Sequence, residues 1–402
     1  MSKILIITGQ FAPYTKSLGG ILRVYFFLKL LKKKHKIFLV ASKCVTNTNY
    51  GYLGLIKKSM KDVDINYINN NDSTFISSIL NFRLFRNLFY LLGIDYASNI
   101  NAEYLKKSYD IIKKNKIDYL IISSPPFSLF YLVKKIRYEF KNIKIILDYR
   151  DGWSTRINNI YNLPVKFLVK RFIENKILDY SNYVIAATNN IYTKVKNLNV
   201  NKNKFYLIRN GFLFKPKINR KINRKINKKI KIGYFGLISD DTSSYRNIRV
   251  IFDIIKENKL LKKKFIFEFY GNNDIQEKEI KLFKLFNFKK NLNFKKALSK
   301  MTEMDYLLIL HTEKSTSREM VTSKFYDYLA SRTPIINVSN GKNEVGEMIK
   351  KMKLGYNIDF EKDDLETFFT RLKKTNNKNR WKKSFNYLSR DFQNKKLLKI
   401  IN

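Results

Sequence analysis

Two carboxylates, Glu319 and Asp327, stand eight positions apart in the segment EMVTSKFYDYLASRTPII that runs from Glu319 to Ile336. Glu319 falls in a polar stretch, HTEKSTSREMVT, directly after the apolar run YLLIL (306–310). It is therefore expected on the loop leaving the carboxyl end of a buried strand, where open α/β sheets bind ligands. Asp327 is expected one turn into the helix that follows. Thr322 or Ser323 suits the N-cap of that helix and Lys324 its first turn, so the free N–H groups there offer a site for a diphosphate. A carboxylate only accepts hydrogen bonds and can grip paired hydroxyls on a ribose or a hexose. These residue types at this spacing suit an activated sugar. They also allow a plainer account, in which Asp327 favours the helix dipole and Glu319 is a solvated loop charge.

Other loops carry residues of the same kind. The segment TGQFAPYTKSLGGILRV (8–24) places Gly19 and Gly20 in the turn that opens into a helix, and glycine lets backbone approach a ligand closely. LDYRDGWS (147–154) puts Asp148, Arg150 and Asp151 at the end of a buried strand, either as ligand contacts or as a strand-end salt bridge, with Trp153 free to stack on a sugar or to pack. YFGLISDDTSSYRN (234–247) follows a strand and supplies Gly236 and Arg246, while IRNG (208–211) reads as a structural turn. Metal ligation has little support: Cys44 is the one cysteine, and His35 and His311 lack zinc spacing. Asp62-Val-Asp64 reads as an ordinary strand start.

The elements that must position these residues alternate strand and helix. KILIIT (3–8), a helix from about Gly20 to Lys33, then KIFLVAS, DYLIISS (118–124), KIILDYR (144–150), NYVIAAT (182–188) and KFYLIRNG (204–211) form one series. KIGYFG (231–236), FIFEFYG (265–271), YLLIL and PIINVS (334–339) form a second. Such alternation predicts α/β architecture with two doubly wound, Rossmann-like domains. The expected division is 1–211, a basic low-complexity linker at 212–230 containing the repeat KINRKINRKINKKIKI (217–232), a second domain at 231–378, and a basic C-terminal helix at 379–402 that packs back on the first domain.

At 402 residues, 45% hydrophobic, the chain is long enough for a core in each domain. A single cysteine and the lack of a cleavable leader point to a reducing cytoplasm, and no apolar run reaches the ~18 residues of a membrane span. A net charge of +46, from 79 Lys+Arg against 33 Asp+Glu, raises the question of nucleic acid. The excess is spread along the whole chain, however, and Lys, Asn, Ile, Phe and Tyr are enriched together, so compositional drift on solvated faces accounts for much of it. Attraction to an anionic membrane, worth roughly 1 kcal/mol per well-placed basic side chain, stands beside drift; nucleic acid is not expected as a partner. FISSILNFRLFRNLFYLLGI (75–94), with Arg83 and Arg86 mid-segment, fits either a helix in the headgroup plane or a core helix with snorkelling cations.

The segment from Glu319 to Ile336 resembles the donor-site motif of retaining, GT-B-type glycosyltransferases of family four, Glu, seven residues, Glu, with Asp327 in place of the second Glu. SKFYDYLASRTPII resembles the form found in cell-surface polysaccharide enzymes, and Gly19-Gly20 followed by Arg23-Val24, together with the Asp-x-Arg-Asp-x-Trp element at 148–153, is similar to the same group. The resemblance implies two domains facing across a cleft and transfer of a sugar, with retention, from a UDP- or GDP-linked donor to a glycan or lipid-linked acceptor. Glu319 would orient the donor sugar and Asp327 hold the ribose. Gly236, Arg246, Ser323 and Lys324 would face the diphosphate, without a metal, although the family's usual Arg after the glycine is Leu237 here. Gly19, Gly20 and Asp151 would meet donor or acceptor, with Arg150 and Trp153 in support. The implied setting is the cytoplasm, peripheral on the inner face of the membrane. A sugar-nucleotide epimerase of the same fold, and a non-catalytic polyanion binder, are the alternatives.

Overall fold

The computed structural model describes residues 1–15, 18–43, 56–69, 88–89, 91–95, 97–154, 168–213, 229–239, 244, 246–271, 286–289, 292–312, 319–374 and 385–401. Most of the 75–94 segment and of the 217–232 repeat lies outside them. The chain divides into two compact units, Met1–Asn210 with Arg390–Asn402, and Gly211–Ser389.

In the first unit β1 (Lys3–Gln10), β2 (Lys36–Lys43), β3 (Asp64–Asn69), β4 (Tyr119–Ser124), β5 (Lys144–Tyr149), β6 (Tyr183–Ala186) and β7 (Phe205–Leu207) form a seven-stranded sheet in the order β3-β2-β1-β4-β5-β6-β7. All pairs are parallel; Ile4 of β1 faces Ile37 on one side and Tyr119 on the other. Parallel strands covered on both faces read as continuous apolar runs. β1 sends Leu5 and Ile7 into one core and Ile4 and Ile6 into the other. The first core is closed by α2 (Asn101–Asn115) through Tyr104, Ile111 and Ile112. The second is closed by α1 (Leu18–Leu31), whose Ile21, Val24, Phe27, Leu28 and Leu31 recur at helical spacing, together with Leu397, Ile400 and Ile401 of a C-terminal helix, Arg390–Ile401.

One buried ion pair ties this unit together. Arg23 of α1, 3% exposed, donates from Nε to both oxygens of Asp148 on β5, at 2.9 and 3.1 Å, and its Nη2 stands 2.8 Å from Oδ1. Its Nη1 donates to the Ile208 carbonyl at 2.7 Å and to Asn210 Oδ1 at 3.2 Å, just before Gly211 turns the chain at φ +72°. Ser123 of β4 donates to Asp148 Oδ2 at 2.7 Å. Arg23 and Asp148 are thus structural: they join α1, β4, β5 and the IRNG turn.

The second unit repeats the order. β8 (Ile230–Phe235), β9 (Phe265–Tyr270), β10 (Phe286–Lys289), β11 (Tyr306–His311), β12 (Ile335–Ser339) and β13 (Gly355–Asp359) form a six-stranded parallel sheet, β10-β9-β8-β11-β12-β13. Gly355 is required where β13 meets β12, since a Cβ there would stand 2.0 Å from the Ile335 carbonyl oxygen. Two edges differ from expectation. Phe385 and Leu388 pack in the core of the second unit, so the C-terminal helix starts at Arg390 rather than near 379, and Phe212 likewise belongs to that core rather than to a linker. Among the described residues no helix is long and apolar enough to cross a membrane.

Replacing Arg23 by Met leaves Asp148 buried without its cation, and breaking a buried pair in this way costs about 3–5 kcal/mol. Urea denaturation followed by circular dichroism should show that loss; a change within about 0.5 kcal/mol, as for an ordinary surface substitution, would refute the structural assignment.

Candidate functional site

The strand order reverses beside the first strand of each sheet, between β1 and β4 and between β8 and β11. Crevices outside the carboxyl ends of strands at such points bind ligands in open α/β sheets.

In the second unit β8 ends at Phe235 and Gly236 follows with φ +121°. A Cβ on Gly236 would stand 2.7 Å from Lys324 Cε, so glycine here lets that lysine cross the strand end. Lys324 lies in the first turn of α9, the helix Ser323–Ser331. Its Nζ donates to the Tyr234 hydroxyl at 2.7 Å and lies 4.3 Å from the ring centroid. The Tyr234 O–H itself donates to the Leu237 carbonyl at 2.7 Å, which leaves the phenolic oxygen as acceptor for the lysine. Burial first, and the neighbouring Arg246 second, push the Lys324 pKa well below the ordinary lysine value. The two cations expected at the diphosphate are therefore brought within electrostatic reach of one another.

Thr322 takes the N-cap position with extended backbone, yet its hydroxyl makes no cap bond and is buried without a partner, while Ser323 is exposed in the first turn. The expected side-chain cap is thus absent. Glu319 is 5% exposed, so it is no solvated loop charge. Asp327 is half-buried on α9, three positions after Lys324 and so on the same side of the helix.

A polar chain that sequence reasoning missed runs across the neighbouring strand ends. His311, the last residue of β11 and fully buried, bonds through Nδ1 to Asn337 Oδ1 at 3.1 Å. Asn337 Nδ2 donates to Asn357 Oδ1 at 2.6 Å and to Asn343 Oδ1 at 3.4 Å, so Asn337 offers its oxygen to a proton on His311 Nδ1. Asn343 in turn caps the helix α10 (Glu344–Met352) by accepting from Gly346 N at 2.7 Å. The available signal was Asn337 itself, a polar residue inside the apolar strand IINVS. Burial, opposed by the Asn337 bond and aided by Lys324, lowers the His311 pKa from 6.5 to about 4.

In the first unit Gly19 and Gly20 lie inside α1, not in the loop before it. Gly19 is exposed, and a Cβ on it would meet nothing within 4 Å. Arg150, just beyond β5, donates to the Gly20 and Pro125 carbonyls, binding the start of α1 and the turn after β4 to the loop after β5. Asp151 is half-buried beside it. Trp153 is no sugar platform: 1% exposed, it stacks on Phe127 at 5.4 Å and donates from Nε1 to the Leu91 carbonyl at 3.0 Å. Asp62 pairs with Lys32 at 3.0 Å and Asp64 opens β3. Among the described residues no group of three or more His, Cys, Asp or Glu could hold a metal ion.

The pKa of His311 sets a pH signature. Between pH 6.5 and about 4 the unfolded chain takes up a proton at His311 that the folded chain refuses, so stability is fully present above 6.5 and falls by about 3 kcal/mol as pH drops through that window. Chemical denaturation across pH should show a shallower fall for His311→Gln. Identical profiles in the two chains would contradict the buried, neutral imidazole.

No family model and no curated protein matches this chain. Solved structures do. A glycosyltransferase from Rickettsia africae ESF-5 is similar at a TM-score of 0.60 and 17% identity, over 99% of this chain and 97% of that one. Anabaena HepE in complex with UDP and glucose reaches 0.63 at 10% identity, over 100% and 99%. The N-terminal domain of Candida albicans trehalose-6-phosphate phosphatase reaches 0.65 at 11% identity, over 100% and 96%. Identities this low speak for the fold alone, and over nearly its whole length the chain shares with these proteins a fold of two Rossmann-like units, each built on a parallel sheet.

Proposed function

We propose that the chain is a glycosyltransferase that moves a sugar from a UDP- or GDP-linked donor to a glycan or lipid-linked glycan, with retention, in cell-surface polysaccharide synthesis. The observation that carries this reading is Lys324. Among the described residues its hydrogen-bond partner is a hydroxyl and not a carboxylate, and both burial and Arg246 act against its charge. An anion brought to this strand end would reverse that balance. A diphosphate is such an anion, and the opening turn of α9 adds N–H groups that the Thr322 side chain does not take. On this reading Glu319 orients the donor sugar, Asp327 holds the ribose, and Ser323, Lys324 and Arg246, with Gly236, stabilise charge on the leaving diphosphate. HepE, similar in fold, has been solved with UDP and glucose, in keeping with such a donor.

The acceptor is assigned to the carboxyl edge of the first sheet, over Gly19, Gly20 and Asp151 with Arg150 behind them. Gly19 supports the assignment, because it stands exposed in the first turn of α1 and among the described residues no neighbour within 4 Å demands glycine there. A ligand lying against the helix would. A net charge of +46 supports work at the inner, anionic face of the cell membrane as a peripheral protein.

Calorimetry against UDP, GDP and their sugars tests the donor site. Lys324→Met should weaken nucleotide binding by roughly tenfold or more, and Glu319→Ala should abolish transfer while circular dichroism stays unchanged. Full transfer by Glu319→Ala would end the assignment; release of an altered sugar nucleotide without any acceptor would mark an epimerase, and salt-sensitive binding without nucleotide preference a polyanion binder. Gly19→Ala separates function from fold: the variant should keep its stability within about 0.5 kcal/mol yet transfer more slowly. Unimpaired transfer in that variant would remove the acceptor from this helix.

A further inference from the structure

Glu174 is a fully buried acid that none of these roles uses. It closes a π-helical turn, Val169–Glu174, and such turns, one residue wider than an α-turn, recur where a side chain must be re-aimed. Its Oε2 accepts from the Ser154 N–H at 3.2 Å and from the Ser154 hydroxyl. The Tyr149 hydroxyl lies beside the same carboxyl, which with burial raises the tyrosine pKa. Tyr149 is the last residue of β5 and Ser154 stands five positions on, both fully buried. The carboxyl therefore holds the Ser154 end of the loop that carries Arg150, Asp151 and Trp153, while the Tyr149 hydroxyl beside it makes no hydrogen bond among the described residues.

The loop is held at other points too. Arg150 N–H donates to the Ser124 carbonyl at 2.9 Å, its guanidinium binds the Gly20 and Pro125 carbonyls, and Trp153 is fixed to Leu91. The Ser154 end depends on Glu174: a buried N–H and a buried hydroxyl must find an acceptor, and Glu174 Oε2 accepts from both. Take that oxygen away and the backbone at 154 has to move toward another acceptor or toward water, carrying the loop with it.

We propose that Glu174 is a positioning residue: by pinning the Ser154 end of the loop that leaves β5 it sets where Asp151 stands. The consequence for transfer rests on the proposed function, because only there does Asp151 meet an acceptor; the consequence for the loop does not. Misplacement by about 1 Å is enough to cost on the order of a hundredfold in rate.

Four chains test this: the natural one, Glu174→Gln, which keeps an oxygen for Ser154, Glu174→Met, which keeps the size but offers no comparable acceptor, and Leu178→Ala, a cavity in the next helix turn as control for lost packing. Hydrogen exchange should show amides 150–154 losing protection at least tenfold in Glu174→Met, largely restored in Glu174→Gln, with Leu178→Ala loosening its own helix instead. In assays with UDP-glucose and an alkyl glucoside, Glu174→Met should lose roughly tenfold to a hundredfold in kcat/KM for the acceptor, with UDP affinity unchanged and Glu174→Gln recovering most of it. Loop protection that is equal in Glu174→Met and the natural chain overturns the proposal, as does a loss shared equally by Leu178→Ala. A natural chain that neither binds UDP nor transfers sugar fails the proposed function, and the exchange result still decides whether Glu174 holds the loop.

Discussion

A parallel sheet covered on both faces confines polar chemistry to the carboxyl ends of its strands. In β1 the buried run Ile4–Ile7 gives way to Thr8, in β4 Ile122 is followed by Ser123 and Ser124, and in β5 Leu147 is followed by Asp148. In the second sheet Leu310 gives way to His311 and Val338 to Ser339. Asn337 shows that a polar side chain can also be held in mid-strand, but there it is fully buried, and the strand ends are where such groups open onto loops. Whatever else varies, a ligand must come to these edges.

Having polar groups at a buried edge creates a second demand, that each find a partner, and the two sheets meet it differently. In the first, cations are neutralised inside the protein: Arg23 has the Asp148 carboxylate, and Arg150 has two backbone carbonyls. Those residues serve as rivets. In the second, His311 is kept neutral and linked to a row of asparagines, while Lys324 is set on a hydroxyl and an aromatic face. A tyrosine offers a weaker counterpart than a carboxylate, so the cation keeps its capacity to attract charge. The contrast between Arg23, a buried cation, and Lys324, a half-buried one, both at strand edges, separates scaffold from candidate site.

The strand runs with both faces buried were legible as continuous apolar segments, and so were the loops that follow them. β13 was not: GYNID is almost wholly exposed and offers no run to detect, and β10 is only FNFK. Gly19 and Gly20 read as the turn opening into a helix from about Gly20, yet α1 already starts at Leu18 and incorporates both, with its apolar stripe from Ile21 onward packed in the core. Gly236 was legible as a turn but its purpose was not, since the clash it avoids is with a lysine nearly ninety positions away. Trp153, equally suited to stacking and to packing, is decided by Phe127 and Leu91, far from it in sequence. For Gly236 and Trp153 what escaped was pairing at long range, which composition and periodicity do not encode.

Fold likeness at 10–17% identity over nearly entire chains joins a glycosyltransferase to the N-terminal domain of a phosphatase, so the architecture by itself selects no reaction. Selection falls to side chains that the scaffold does not need. Asp148 fails that test, because Arg23 needs it; Trp153 fails it, because the core does. Lys324 passes, since burying an ammonium against a phenol gains the fold little beyond what an apolar side chain would give, and its neighbour Arg246 makes matters worse. On the function proposed above, Lys324, set at a strand end on a phenol and with Arg246 acting against its charge, is the group that an incoming anion would meet.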